Sequence, residues 1–294
     1  MVRQIVIVTL ATIAVAALMM ECFVRISGVA DVPLYEADDR IGYIPKPDQS
    51  ETLFLKSHWD FNDKSMGISR PFAGDPERDI LLVGDSIVMG TNKYYQEDRL
   101  GPQLENIVKV PVWPIGASSW SVQNEIEYLK RFPDVAGSVA RIVFIFNVFD
   151  FQDDPSSWRN PISHPLERQW SLVWFLAEKY LLKPAFDQDE VLRVQRRDWL
   201  DDLSLIAQAL DKPIDLFLYP TREEISIGKP CFTLPDRLSK VPNITIHCIG
   251  KDPRWSVADY EDDIHPLANS TPKLAQIIAD NIPLGIFVEQ QVGQ

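Results

Sequence analysis

Basic residues are in short supply: 29 Lys and Arg stand against 42 Asp and Glu, for a formal net charge of −13. No Lys/Arg cluster supplies the basic stripe that a nucleic acid requires, which excludes nucleic acid as a partner. The acidity itself serves solubility and says nothing about a substrate. Cysteine is rare, with three residues and no pair at zinc spacing, and no His-Glu-x-x-His occurs, so no metal site is expected. Gly-x-Gly-x-x-Gly and Gly-x-x-x-x-Gly-Lys-Ser/Thr are both missing, leaving nucleotide cradles unsupported and no cofactor implied. Internal repeats and low-complexity tracts are absent too. Histidine is the most telling shortage: of the four, at 58, 164, 247 and 265, only His265 has an acidic residue three positions before it, Asp262.

That Asp-x-x-His gains meaning from Gly84-Asp85-Ser86, which follows the apolar run Ile80-Leu81-Leu82-Val83. A serine placed where a buried strand turns into a loop exposes its hydroxyl. An imidazole and its orienting carboxylate, delivered from one late loop, complete a Ser-His-Asp nucleophilic set, which is defined by roles and not by chain order. The expected chemistry is acyl transfer through Ser86, with His265 as base and Asp262 holding its tautomer.

With these residues the chain resembles the SGNH or GDSL-type serine hydrolases, in particular membrane-anchored members of bacterial envelopes. The resemblance covers roughly residues 78 to 282 and implies a flavodoxin-like three-layer α/β/α fold with a mostly parallel sheet. It implies Ser86 as nucleophile, with its own N–H in the oxyanion hole. Gly116, at the end of Val110-Pro111-Val112-Trp113-Pro114-Ile115-Gly116, is implied as the second oxyanion donor. Asp262 and His265 match the last block. The third block departs from the family's Gly-x-Asn-Asp: the strand Arg141 to Phe146 runs into Asn147-Val148-Phe149-Asp150, so Phe149 stands where asparagine is expected. Asn147 lies two residues earlier, which on a strand preserves the face, and its amide is the expected third donor. Losing one such donor costs about two to three orders of magnitude in rate.

The rest of the chain fits a doubly wound α/β body by alternation of strand-like and helical stretches. Strands are expected at 80–83, 110–115, 142–146 and 214–219, with a fifth around Ile246, and helices near 98–108, 121–132 and 267–282. Ahead of this body, residues 1–28 read as an uncleaved signal anchor and single transmembrane helix: sixteen uncharged, mostly apolar residues from Ile5 to Met20 follow Arg3. Ala14-Val15-Ala16 is the alternative, a cleavage site of a removable signal peptide. Either way the body is expected outside the cytoplasm, in a periplasmic setting. Residues 29–77, with prolines at 33, 45, 47 and 71, read as an extended lead-in, and 78–294 as the α/β domain. A helical insertion is expected at about 152–212, where Trp170, Val173, Trp174, Leu176, Ala177, Tyr180 and Leu181 recur at helical spacing. Its default reading is an amphipathic helix on the sheet; the functional one is a lid, a membrane-facing surface, or aromatic platforms for sugar (Trp158, Trp170, Trp174). Cys231 and Cys248 are either a disulfide or two unrelated thiols.

These readings lead to an extracytoplasmic serine esterase acting on O-acyl groups, O-acetyl above all, of a carbohydrate or other small ester. The same site serves a polysaccharide O-acetyltransferase if a sugar hydroxyl replaces water. A non-catalytic carbohydrate-binding or assembly module of the same fold is the alternative that Phe149 supports. Envelope polysaccharide machinery is the associated partner class.

Overall fold

The computed structural model describes residues 1–151, 154–182 and 192–283. Residues 152–153 and 183–191 of the expected insertion, and 284–294 of the expected α/β domain, lie outside the described residues. The chain opens with α1 (Val2–Ser27), closed by Gly28 in the left-handed conformation at φ 65°. This helix is long and apolar enough to cross a membrane, by length and composition. Two antiparallel hairpins follow: β1 (Tyr35–Asp38) with β2 (Gly42–Pro45), and β3 (Gln49–Leu53) with β4 (Ser57–Phe61).

The body is built on β5 (Ile80–Gly84), α2 (Ser86–Met89), α3 (Leu100–Val108), β6 (Val112–Gly116), α4 (Val122–Arg131), α5 (Pro133–Gly137) and β7 (Arg141–Phe146). It continues through α6 (Leu172–Ala177), α7 (Trp199–Leu210), β8 (Ile214–Leu218), α8 (Arg222–Ser226), β9 (Ile244–Cys248) and α9 (Thr271–Asn281). Five strands pair in parallel in the order β6-β5-β7-β8-β9. The sheet is buried on both faces, which is why its strands read as nearly unbroken apolar runs. The period of two sorts their side chains: Leu81, Val83, Phe144 and Leu216 pack with Ile126, Leu129 and Leu203 of α4 and α7. Ile80, Leu82, Ile145 and Phe217 pack on the other face with Leu104, Leu274 and Ile278 of α3 and α9. The result is the three-layer α/β/α architecture, with the sheet order of flavodoxin-like folds. In such sheets the crevice at the carboxyl ends of the strands, where the order reverses beside the first strand, is the natural ligand site.

Two stretches differ from the sequence reading. Residues 29–77, expected as an extended segment able to pack on the α/β domain, are more regular than that: they form hairpins that bury Tyr43, Ile44, Trp59 and Phe61 in the same core as the sheet. Trp120 Nε1 donates to Tyr43 O at 2.8 Å, and Arg99 lies 3.4 Å over the Trp59 ring, so polar groups lock the hairpins as well. The amphipathic helix of the insertion does not lie on the sheet. Leu172 and Phe175 of α6 pack instead against Val24 of α1 and Ala30. Glu21 of α1 accepts from Ser171 Oγ (3.1 Å) and from the N–H groups of Leu172 (3.0 Å) and Val173 (3.1 Å), satisfying donors that a helix start leaves open. Among the alternatives for the late cysteines, Cys231 and Cys248 are disulfide-bonded, with Cα atoms 5.9 Å apart.

Candidate active site

Gly84 ends β5 under steric compulsion: a Cβ there would meet Val88 Cγ2 at 2.5 Å and Ile145 O at 3.2 Å. The chain then turns at once into the single turn α2, whose N-cap Asp85 accepts from Ile87 N–H at 2.8 Å. Ser86 is thereby the first residue of α2, at the carboxyl edge of the sheet, and is 7 % exposed.

The imidazole comes from the closed loop between Asp259 and Leu267. Glu261 N–H donates to His265 O (2.8 Å) and Leu267 N–H to Asp259 O (2.8 Å), while Tyr260 and Pro266 bridge antiparallel. Tyr94 OH donates to Pro266 O, and Arg222 N–H to Asp263 O at 2.8 Å, fixing the loop to the body on two sides. His265 Nε2 reaches Ser86 Oγ at 2.9 Å, and its Nδ1 lies 2.8 Å from Asp262 Oδ2. The other carboxylate oxygen of Asp262 accepts from the N–H groups of His265 (2.8 Å) and Ile264 (3.0 Å). Partial burial pushes the Asp262 carboxyl up, but these donors and the imidazole outweigh it and hold the group below its usual range. An ionised Asp262 fixes Nδ1 as the protonated nitrogen, which leaves Nε2 free to take the serine proton. The three residues that the sequence pointed to as a nucleophilic set are thus joined in one chain of hydrogen bonds.

The oxyanion residues are placed differently. Gly116 lies beside Gly84 in the β5–β6 register, and a Cβ on it would meet Gly84 O at 2.5 Å and Asp85 O at 2.8 Å. Its lack of a side chain serves this close strand contact. The same turn brings Ser118 and Ser119 to the cavities around Ser86, with Ser119 held at φ 63°, a left-handed conformation unusual for serine. Sequence reasoning missed this pair; a run of small residues after Gly116 was the available cue.

Asn147 is buried and borders the space beside Ser86. Its Nδ2 donates to Asp85 Oδ2 at 3.1 Å, its backbone N–H to Asp150 Oδ2 at 2.6 Å, and its Oδ1 accepts from Phe149 N–H at 2.8 Å. Phe149, half exposed, lines the same cavity as Asn147. Asn147 therefore joins two buried carboxyls behind the nucleophile. A third, Glu125 of α4, is fully buried, and neither carboxyl oxygen has a hydrogen-bond partner among the described residues. Burial raises Asp85 and raises Glu125 and Asp150 further, and mutual repulsion adds to the rise of the latter two.

Two cavities flank the Ser86–His265 pair. One, of about 480 Å³, is walled by Ser119, Trp120, Phe149 and Ile264. The other, of about 230 Å³, is walled by Val32, Pro33, Tyr35, Trp59 and Lys179. Of the expected aromatic platforms, Trp158 is half-buried with Nε1 donating to His164 O at 2.9 Å, and Trp170 and Trp174 are exposed. None of the three lines either cavity. Among the described residues no group of His, Cys, Asp or Glu is arranged to hold a metal ion.

No family model and no curated protein matches the chain. Among solved structures the chain is similar to a member of the lipolytic protein G-D-S-L family from Veillonella parvula, at 13% identity and a TM-score of 0.38, covering 70% of this chain and 98% of that one. It is similar at 11% identity and a TM-score of 0.39 to LAE5, an alpha/beta hydrolase from the metagenome of Lake Arreo, covering 70% and 95%. An acetyl xylan esterase from Butyrivibrio proteoclasticus matches at 10% identity and a TM-score of 0.38, covering 72% of this chain and 64% of that one.

Proposed function

We propose that the protein is a membrane-anchored, extracytoplasmic serine ester hydrolase that removes O-acyl groups, O-acetyl above all, from a carbohydrate or other small ester. The observation that carries this reading is the continuous chain Ser86 Oγ–His265 Nε2, His265 Nδ1–Asp262 Oδ2, at 2.9 and 2.8 Å, opening on two cavities. His265 takes the hydroxyl proton as Ser86 attacks the ester carbonyl. The tetrahedral oxyanion is received by the Ser86 N–H and by N–H groups of the Ser118–Ser119 turn. Collapse returns the proton from His265 to the departing alcohol, and the acyl group stays on Ser86. Water, deprotonated by His265, then releases the carboxylic acid and restores the serine. Two flanking cavities suit such a reaction, one side receiving the acyl group and the other the alcohol.

The anchor is α1, and the Cys231–Cys248 bond is of the kind that persists in oxidising compartments, in keeping with an exported body. The test is active-site labelling: the full chain in detergent, treated with a fluorophosphonate probe, is expected to carry the label on the peptide containing Ser86. A folded, unlabelled protein would sink the proposal.

A slow enzyme is expected, since Asp85 holds one of the two amide protons of Asn147 and the Phe149 side chain has none to give. Phe149→Asn, which places a donor at the cavity wall, is expected to raise kcat on p-nitrophenyl acetate by about tenfold. That is short of the ~10²–10³ of a preorganised donor. An unchanged or lower kcat would show that position 149 does not face the developing charge.

A further inference from the structure

Of the large apolar side chains that the described residues expose outside α1, several of the most exposed gather where α1 ends. The hairpin tip between β3 and β4 carries Phe54 and Leu55, exposed by 60 and 71 %. Phe54 N–H donates to Gly28 O at 2.9 Å, so this tip sits at the helix exit. Both tip residues have positive φ, 53° and 56°, a conformation rarely adopted by large side chains. From a second direction comes the start of α6: Arg25 Nη2 donates to Trp170 O at 2.7 Å, and Glu21 holds the next three residues. Trp170, Trp174 and Leu181, at near-helical spacing, are exposed by 86, 53 and 80 %. Arg168 binds the two directions together, donating to Ala30 O at 3.1 Å and pairing with Asp31 and with Glu51 of β3.

An apolar collar assembled from two separate elements around the end of one apolar helix has a defined neighbour. Whatever surrounds α1 also meets the collar. Tryptophan beside Lys and Arg is the composition of a membrane–water interface, where rings sit at headgroup depth and long basic side chains reach outward. Arg25, Lys56 and Arg168 stand among these residues.

We propose that Phe54, Leu55, Trp170, Trp174 and Leu181 form a bilayer-contact surface, seated at the boundary between headgroups and acyl chains. This inference rests on the reading of α1 as a membrane anchor. Its consequence for the site follows from the smaller cavity. Val32 and Pro33, a few residues past the helix exit, and Lys179, between Trp174 and Leu181, share its wall with Ser86 and His265. That cavity therefore opens beside the membrane surface, and the ester it receives is one presented there.

The test uses the full chain in nanodiscs of phosphatidylethanolamine and phosphatidylglycerol, with plain or brominated acyl chains. α1 contains no tryptophan, and Trp59, Trp113, Trp120 and Trp255 are buried, so bromine quenching reports on exposed indoles of the body. Brominated lipid is expected to quench wild-type fluorescence, and Trp170→Phe/Trp174→Phe to abolish most of that quenching. Phe54→Trp on the double-variant background is expected to restore it. Equal emission in plain and brominated discs, or a Phe54→Trp signal that bromine leaves untouched, would overturn the proposal. A protein partner on this face predicts that null result. Protein that fails to enter the discs at all marks a failure of the anchor reading instead. No step requires turnover, so the result stands apart from the esterase reading.

Discussion

Ser86→Ala is expected to lower turnover of p-nitrophenyl acetate by ~10⁴-fold or more, with thermal unfolding unchanged. The stability expectation follows from the local structure: the hydroxyl bonds His265 Nε2 at 2.9 Å, lies 3.5 Å from Asp85 Oδ2, and supports no backbone group. Asp85 caps the turn with its own carboxylate, so α2 keeps its start. His265→Ala is expected to cost about as much as Ser86→Ala, and the double variant no more than either alone, because the two act as one unit. Asp262→Asn is expected to be milder, at roughly 10²-fold, well short of the ~10⁴ known for a buried triad carboxylate. The Asp262 side chain is 55 % exposed, and water shares the work of stabilising the imidazolium. Steady-state rates on the four variants check the order. Retention of a tenth of wild-type activity in Ser86→Ala would assign the nucleophile elsewhere.

The second large effect is on stability and runs against intuition. Glu125→Met is expected to raise the melting temperature at pH 8 by several degrees, and by less at pH 5. Glu125 is completely buried, neither oxygen has a hydrogen-bond partner among the described residues, and Asp150 and Asp85 repel its charge. Such a group costs ~1–3 kcal/mol through its unmet hydrogen bonds alone. For a body of this size each kcal/mol moves the melting point by about 2–4 °C. The pH dependence has a definite sign. In the unfolded chain a glutamate ionises near pH 4.3, whereas in the folded protein burial holds Glu125 well above that. Below the unfolded value the protonated group contributes its full stability. As the pH rises past that value and through the folded one, unfolding releases a proton and stability is lost. Methionine, similar in length and without a charge, has no such loss, so the gap between variant and wild type widens with pH. Thermal unfolding of both proteins in the same detergent at pH 5 and pH 8 measures it. A variant that melts lower at pH 8 would mean that Glu125 is satisfied by a partner.

How much of this was legible in the chain depended on the range of the forces involved. The five parallel strands were plain, because burial on both faces leaves a continuous apolar run such as Ile80–Val83. Ser86, Asp262 and His265 could be singled out as candidates because each sits in a short local motif, Gly-Asp-Ser or Asp-x-x-His. The hairpins were hidden: Gln49-Ser50-Glu51-Thr52 carries little apolar pattern, and its pairing with β4 is decided by packing on residues far along the chain. Asn147 was only partly legible, its bond to Asp85 being hidden, for a different reason. A spacing of two preserves the face only while the chain remains a strand, and it enters a 3₁₀ turn at Val148, immediately after the end of β7. The helical spacing around Trp174 was correctly legible as a helix, but its partner, α1, was not, since one apolar stripe fits a sheet or another helix equally well.

The docking of Glu21 onto the start of α6 bears on reach. With α1 in a bilayer, its 26 residues span about 39 Å, against a hydrocarbon core of about 30 Å, so its last turns, including Arg25, rise into the body. An enzyme hung on a flexible tether sweeps a hemisphere as wide as its linker is long. Here the helix and the body share hydrogen bonds through Glu21 and Arg25 and a packed core, and only Gly28 to Leu34 separate α1 from β1. On the anchored reading proposed above, such a molecule hunts in two dimensions. On that reading its cavity travels at one constant height, and an ester is served only where it comes to meet it.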